Sequence, residues 1–524
     1  MSVATPELPQ DLALCHQMIL ELLETLQRTE REKEQLRHRL MQLLRARFGP
    51  RAEKIDPKQL ALFAQEILKE AETPPAEPAK EETPAAEKPK PPGHGRRKLP
   101  SHLPRKTIVY DVPAEDRLCP CCGKEMKEIG RETSEQLEYV PASLYVLVHE
   151  RPKYACRECE ETVLVAEKPR QPIEKGLPGP GLLAHVITSK YADHLPLHRL
   201  TGIFYRHGVA IHRSTMCDWM AASAKLLACL YDRMVEEVLA SKVLHTDDTP
   251  VPVLDKNRDT TRQGRLWAYV GDDLHPYTIY DYTPSRARDG PVKFLGAFQG
   301  FMQADAYGGY DGIYAGDRVI EVLCWAHARR KFFDAIDSDS PRAHAALAYI
   351  RRLYDVERRA KELPSADRAR RRQAESRPVL EAFGKWLGEQ SDGPSPVLPK
   401  SPMGLATHYV LGNWAALVRY TDDGDLSIDN NAAEQAMRPV ALGRKNWLFA
   451  GSDNGGRTAA VLYGLVATCR RHGLDPFRYL RDVIGRLSDH PANRIDELLP
   501  DRWKLAHLPP SPDPTSTLDP APPT

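Results

Sequence analysis

Asp247 in LHTDDTPVPV, Asp305 in FMQADAYGGY and Glu434 in DNNAAEQAMRP are the acids best placed to do chemistry. The first two close runs that read as β-strands, and the third lies where a helix is expected to begin. Three carboxylates gathered from two strands and a helix suit a pair of divalent cations. Such a pair clamps the attacking and leaving oxygens of a phosphodiester during in-line displacement. The expected ions are two Mg2+, because hard carboxylate oxygens match that cation and it keeps waters that can lose a proton.

A second chemistry belongs to cysteine. Cys119 and Cys122, then Cys156 and Cys159, form two CxxC pairs with 33 residues between them. Four soft thiolates at this spacing predict one structural, tetrahedral Zn2+ in a zinc ribbon, with strand-like segments between the pairs. Cys121 lies between two of these ligands and is either the bystander or exchanges with Cys122. Cys324 and His327, in CWAH, have ligand-like spacing but make only two donors, so a packing or hydrogen-bonding role at a strand end is the simpler reading.

Positioning the three acids requires a sheet. KVLHTD, RLWAYVGD and YTIYDYT alternate apolar and polar residues and are separated by Asn, Asp and Gly turns, which predicts three antiparallel strands. GFMQAD and RVIEVLC follow as two further strands, with a helix-prone SRARDGPVKFLGAF before them. This is the order of a ribonuclease-H-like sheet, in which the first acid lies on the first strand and the second ends the fourth. Asp247 and Asp305 fall at those places. Period-2 alternation puts Val243, His245 and Asp247 on one face and Asp248 on the other, so only one of the adjacent acids points into the site. Glu434 is delayed to DLSIDNNAAEQAMRPVALGRKNWLFAGS, where Asp429, Asn430 or Asn431 caps a helix that ends near Pro439. Arg438 is four residues on from Glu434 and shares its face. Arg444, Lys445 and Trp447 add charge and a stacking surface.

The remaining segments read as delivery apparatus. Leu12, Cys15, Ile19, Leu22, Leu26, Thr29, Lys33, Leu36, Leu40 and Leu43 recur at alternating spacings of three and four, which predicts a self-associating coiled coil or else one amphipathic helix. From Thr73 to Pro104 the chain is rich in Pro, Glu, Ala and Lys and buries too little apolar surface to offset ordering entropy. Its basic end holds Arg96 and Arg97, which are either a solvated linker or a minor-groove arm. Leu200, Ile203 and Phe204, a turn at His207-Gly208, and Ser214 as an N-cap before Met216 and Trp219 resemble a helix-turn-helix presenting Arg213. Helix pairs of this kind also occur without DNA. Between Arg351 and Arg377 ten basic residues face five acidic ones, which is either a solvated helical face or a phosphate-contacting insertion.

Composition bounds the rest. A chain of 524 residues has room for several domains. Its net charge of +1 conceals local basic patches, so nucleic-acid binding must be argued from those patches. No apolar run reaches the ~18 residues of a membrane span, and no secretory pattern opens the chain, so the expected setting is the bacterial cytoplasm without a membrane partner.

HTDDTPVPVL, QADAYGGYDGIY, CWAHARRKFF and IDNNAAEQAMRPVALGRKNWLFAGS together resemble the insertion-sequence-66 family of bacterial transposases, in its large subunit. ARFGPRAEKIDPKQLALF, KYADHLPLHRL, RIDELLP and the cysteine knuckles are similar too, so the resemblance covers about residues 12 to 504. It implies a DDE transposase with Asp247, Asp305 and Glu434 as the acidic triad. It further implies DNA as partner and helper proteins encoded by the same element, and a Cys324–His327 pair behind the active site. The family pattern usually has Glu where this chain has Asp248.

The expected fold class is α/β and multidomain. A coiled coil spans 1–48, which favours a homo-oligomer, and a short helix with a basic, Pro-rich linker spans 49–106. The zinc ribbon takes 107–168 and a helix-turn-helix-like DNA-binding domain 169–240. The ribonuclease-H-like core occupies 241–333 and 404–488, split by a helical insertion at 334–403, with a C-terminal segment at 489–524. The expected activity is Mg-dependent cleavage and strand transfer at element ends. An inactive or domesticated DNA-binding regulator, or a nuclease that never joins strands, are the alternatives.

Overall fold

The computed structural model describes residues 170–507, except 175, 256, 317, 394 and 395. It also describes two short strands and the isolated positions His16, Thr29, Lys33, Leu144 and Val146. His16, Thr29 and Lys33 are helical and exposed; the rest of the expected coiled coil lies outside the described residues. So do Arg96, Arg97 and all four knuckle cysteines. Strands β1 (Lys153–Ala155) and β2 (Val163–Val165) pair antiparallel, with Ala155 opposite Val163, and the second cysteine pair falls in the connection between them.

A mixed five-stranded sheet organises the rest. Its strands are β3 (Val243–Val253), β4 (Arg262–Val270), β5 (Thr278–Thr283), β6 (Gly300–Ala304) and β7 (Val319–Leu323), in spatial order β5-β4-β3-β6-β7. The first three form an antiparallel meander, and β6 and β7 then run parallel to β3. Long aromatic and β-branched side chains drive this: Trp267, Tyr269, Ile279 and Tyr280 are fully buried on the pleated surface. Gly300 opens β6 at φ +147 with the Lys242 carbonyl against it, where a Cβ would stand only 2.5 Å from that oxygen.

β3 does not close at Asp247; it continues for six residues, through Pro250 and Pro252. Beyond His245 it no longer pairs with β6. The Leu254 N–H reaches away from β4 to the Ala450 carbonyl, so the nitrogens of Pro250 and Pro252, at the same parity, also face away from β4. Proline is tolerated on such an open edge because no ladder bond is lost there.

Helices cover both faces. Upstream lie α1 (Pro180–Tyr191), α2 (Leu197–Arg206), α3 (Arg213–Leu226) and α4 (Ala228–Leu239); α5 (Asp289–Phe294) follows β5, and α6 (Trp325–Asp334) follows β7. The insertion comprises α7 (Ser340–Ala360), α8 (Ser365–Arg371), α9 (Arg377–Asp392) and α10 (Pro402–Gly412). Then come α11 (Asn431–Trp447), α12 (Asp453–Arg471), α13 (Pro476–Arg486) and α14 (Pro500–His507). Helices α1 to α4 share one apolar core with the sheet, α12 and α13: Leu183, Met216, Trp219, Leu266, Tyr280, Leu465 and Val483 belong to a single buried cluster. On the opposite face Tyr269 stacks on Phe294 of α5, with ring centroids 3.8 Å apart. A second cluster gathers the insertion around Trp325 and reaches the sheet at Val243 and Val322.

The insertion's basic residues are largely paired within it. Arg372, with only 1 % of its side chain exposed, sits in a π-helical turn, meets both oxygens of Glu357 at 2.7 and 2.8 Å, and donates to the Tyr420 and Asp423 carbonyls. Arg359 pairs with Glu375, Arg358 with Asp355, and Arg377 with Asp422. These pairs engage part of the basic excess between Arg351 and Arg377. Among the described residues no helix is long and apolar enough to cross a membrane.

Candidate active site

Strand register brings Asp247 and Asp305 to one level. His245 of β3 pairs with Gln303 of β6, and each acid lies two residues further along the chain from that pair. Asp305 stands just past the carboxyl end of β6. This is where strand order turns from one side of β3 to the other, the place where ligands bind in open α/β sheets. α11 lies on the His245 face of the sheet and carries Glu434 in its first turn; the Tyr280 hydroxyl, also on that face, donates to the Ala436 carbonyl.

The segment before α11 is sewn to the strand ends. Gln303 and Ser427 exchange two hydrogen bonds, side chain to backbone, at 2.7 and 2.8 Å. Trp325 N–H donates to Ile428, and Asn430 N–H donates to Cys324 Sγ at 3.2 Å. Asn430 sits at the N-cap position, but its side chain makes no cap bond. Instead its Nδ2 donates to the Thr246 carbonyl at 2.8 Å, and its Oδ1 accepts from His245 Nδ1 at 3.1 Å. Burial pushes the His245 imidazolium pKa down to about 4, so the ring is neutral and that bond fixes its tautomer. The capping expected of Asn430 is thus replaced by a latch between helix and strand. Ser214 likewise is no cap, because α3 starts at Arg213 after His212.

The three carboxylates differ in setting. Asp247 is the most enclosed; burial first, then the neighbouring Asp305, Asp248 and Glu434 charges, push it up to about 7, against an opposing bond from the Asp248 N–H at 2.8 Å. Burial also raises Asp305, whereas His327 and Arg286 act to lower it. Asp305 and Glu434 keep 31 % and 39 % of their side chains exposed, so both open to solvent. Crowded, partly desolvated carboxylate oxygens are a donor set that hard divalent cations fit.

Asp248 is not part of that set. It lies on the opposite face, across from Trp267, with 4 % of its side chain exposed. Arg265 holds one of its oxygens at 2.8 Å and Arg286 the other at 2.8 and 3.1 Å. Arg286 then reaches round the strand ends to stand 3.9 Å from Asp305, stacked 4.0 Å over the Tyr307 ring. Gly309 leaves space for that ring, since a Cβ there would lie 2.1 Å from it. Sequence reading missed Arg286; its only signal was the basic SRAR run between a strand and a helix.

Of the expected DNA-facing residues, Arg213, Arg438 and Lys445 are exposed. Arg444 is half-buried: its guanidinium donates to Thr249 Oγ1 at 3.1 Å and to the Pro250 carbonyl, filling the open edge of β3. α11 also runs on past Pro439 to Trp447, so these residues lie on the helix rather than beyond it. After it Leu448 adopts φ +65 and leaves 62 % of itself exposed.

Comparison with known proteins agrees with this arrangement. The model of the "Transposase IS66 family" matches residues 175–458, more than half of the chain. The "zinc-finger binding domain of transposase IS66" matches 116–160, the "IS66 C-terminal element" 464–500, and "Transposase C of IS166 homeodomain" 35–108. The zinc-finger match spans all four knuckle cysteines. Among curated relatives, the uncharacterized protein y4qI of Sinorhizobium fredii is 35% identical over 487 residues, covering 88% of this chain and 87% of its own. Protein y4jD of the same organism is 35% identical over 422 residues, covering 78% and 81%. With a family model over more than half of its length and relatives of this identity and coverage, the chain belongs to the IS66 family of transposases.

Proposed function

We propose that this chain is a DDE transposase with a ribonuclease-H-like core that cuts element ends and joins them to target DNA. The observation that carries the reading is the shared level of Asp247 and Asp305 on adjacent parallel strands, with Glu434 latched over them by Asn430. The strand order β5-β4-β3-β6-β7 supports the ribonuclease-H-like assignment.

In this reading Asp247, Asp305 and Glu434 hold two Mg2+, which supply activation of the attacking oxygen and stabilisation of the leaving 3′ oxygen. Asp247 is the most enclosed of the three, and the charges of both other acids act on it. The Gln303–Ser427 pair and Asn430 fix the first turn of α11, and Arg286 restrains Asp305 through Asp248. Arg213, Arg438 and Lys445 contact phosphates; the cysteine knuckles fold around one Zn2+; the N-terminal heptads pair subunits so that two ends are cut together. The joining step uses the freed 3′-hydroxyl as nucleophile at the same acids.

The test is strand cleavage and joining with DNA from the borders of the gene, including a pre-cut 3′-hydroxyl end. Asp247→Ala, Asp305→Ala and Glu434→Ala should each lose at least about a thousandfold in rate, the loss expected when several kcal/mol of transition-state stabilisation are removed. End binding should persist. A Glu434→Ala protein that still cuts and joins normally contradicts the proposal.

A further inference from the structure

We infer that Cys324, His327 and Glu434 form a binding site for a single zinc-class divalent cation. Cys324 stands immediately after β7 and before α6, and His327 is in the first turn of that helix, three residues on. Glu434 faces them from the first turn of α11. One ligand atom from each of the three lies within 4.8 Å of the other two.

Two details distinguish this group from ordinary packing. His327 Nδ1 is buried and has no hydrogen-bond partner, although Glu434 Oε1 is 3.8 Å away, beyond hydrogen-bonding range. A buried ring nitrogen left unpaired is costly, and a cation shared with the carboxylate removes that cost. Cys324 Sγ meanwhile accepts the Asn430 N–H, an outer bond of the kind that orients metal ligands. Without a cation, burial pushes the Cys324 thiol up to about 11 and keeps it neutral. When the cation binds, the sulfur–metal bond forms as the S–H bond breaks, and the proton leaves to solvent.

The donor set decides the ion. Thiolate, imidazole and carboxylate together select zinc-class cations, whereas Mg2+ prefers oxygen alone. Three protein donors leave a fourth position open, as in zinc sites that exchange a ligand. Because Glu434 serves here too, zinc held at this site withdraws the third acid from the magnesium pair. That consequence rests on the proposed function; the site itself does not.

The experiment counts ions on the full-length, metal-stripped chain. Zn2+ per chain is measured by atomic emission after dialysis, and Co2+ is titrated while its thiolate charge-transfer absorption is followed. Wild type is compared with Cys324→Ser, His327→Ala and Glu434→Gln. The cysteine knuckles bind alike in all four proteins, so their contribution cancels. The wild type is expected to hold one further ion, and each variant to bind it at least about tenfold more weakly. His327 is partly exposed, so His327→Ala decides the matter even if Cys324→Ser fails to fold. Equal stoichiometry and equal Co2+ spectra in the wild type and His327→Ala overturn the inference. The readout needs no DNA, so a chain that binds the extra ion but cuts nothing sinks only the transposase mechanism, and the reverse result sinks only this site.

Discussion

The Arg286 guanidinium holds Asp248 and at the same time stands 3.9 Å from Asp305, linking an acid on one face of the sheet to an acid on the other. The cation therefore competes with any ion that Asp305 binds. Arg286→Ala should lower the Mg2+ concentration needed for half-saturation by about two- to fivefold, the range of a partly exposed charge. Calorimetric titration with Mg2+ checks it; unchanged or weaker binding would show that Arg286 does not bear on the ion site.

Asn430 is 1 % exposed, and its carboxamide satisfies both His245 and the Thr246 carbonyl. Asn430→Ala leaves those two groups without partners in the interior. The expected cost is about 1–3 kcal/mol per unsatisfied group in a urea titration, together with slower DNA cleavage as Glu434 loses its fixed placement. Wild-type stability in the variant would mean that the latch contributes nothing.

Asp247 gives a pH dependence whose sign can be worked out. Its folded pKa of about 7 lies above the ~4 of an unfolded aspartate. The protonated carboxyl therefore favours the fold fully below about pH 4, and that contribution is lost as pH rises towards and through 7. In EDTA, Asp247→Asn should match wild type in thermal midpoint near pH 4 and exceed it increasingly up to about pH 8. A midpoint difference that is flat across this range would refute the enclosed setting of Asp247. Mg2+, which needs the carboxylate, should bind more weakly below about pH 7.

Arg444 and Lys445 are sequence neighbours with different surroundings. Lys445→Ala, or Arg438→Ala, should weaken DNA binding and flatten the plot of log affinity against log salt by about one unit each. Arg444→Ala should leave that slope unchanged and lower the thermal midpoint, because Thr249 and Pro250 lose their donor. Filter binding over a salt series and thermal melts separate the two; identical behaviour of Lys445→Ala and Arg444→Ala would undo the distinction.

Much of the sheet was legible because its strands carry a strong alternating pattern. All five appear in the expected order, and Asp248 faces away from Asp247 as alternation requires. What could not be read were features set by tertiary context. The first strand was expected to close at Asp247, yet β3 runs on through Pro250 and Pro252, which are accommodated because that edge is open. Pro439 argued for a short helix, yet α11 runs through it. Arg444 looks like any exposed arginine until the unpaired carbonyl beside it is seen. The pairing of Cys324 and His327 with Glu434 was invisible for the same reason: two short-range donors need a partner far along the chain. Apart from Thr29 and Lys33, the seam of the N-terminal heptads lies outside the described residues, as do residues 96 and 97.

Ile428 ties the segment before Glu434 to the insertion helices around Trp325, because Ile428 and Trp325 share that cluster and a backbone hydrogen bond. Pairings between such distant segments form slowly, so in refolding the seating of α11 over the sheet should lag behind the local β3-β4-β5 meander.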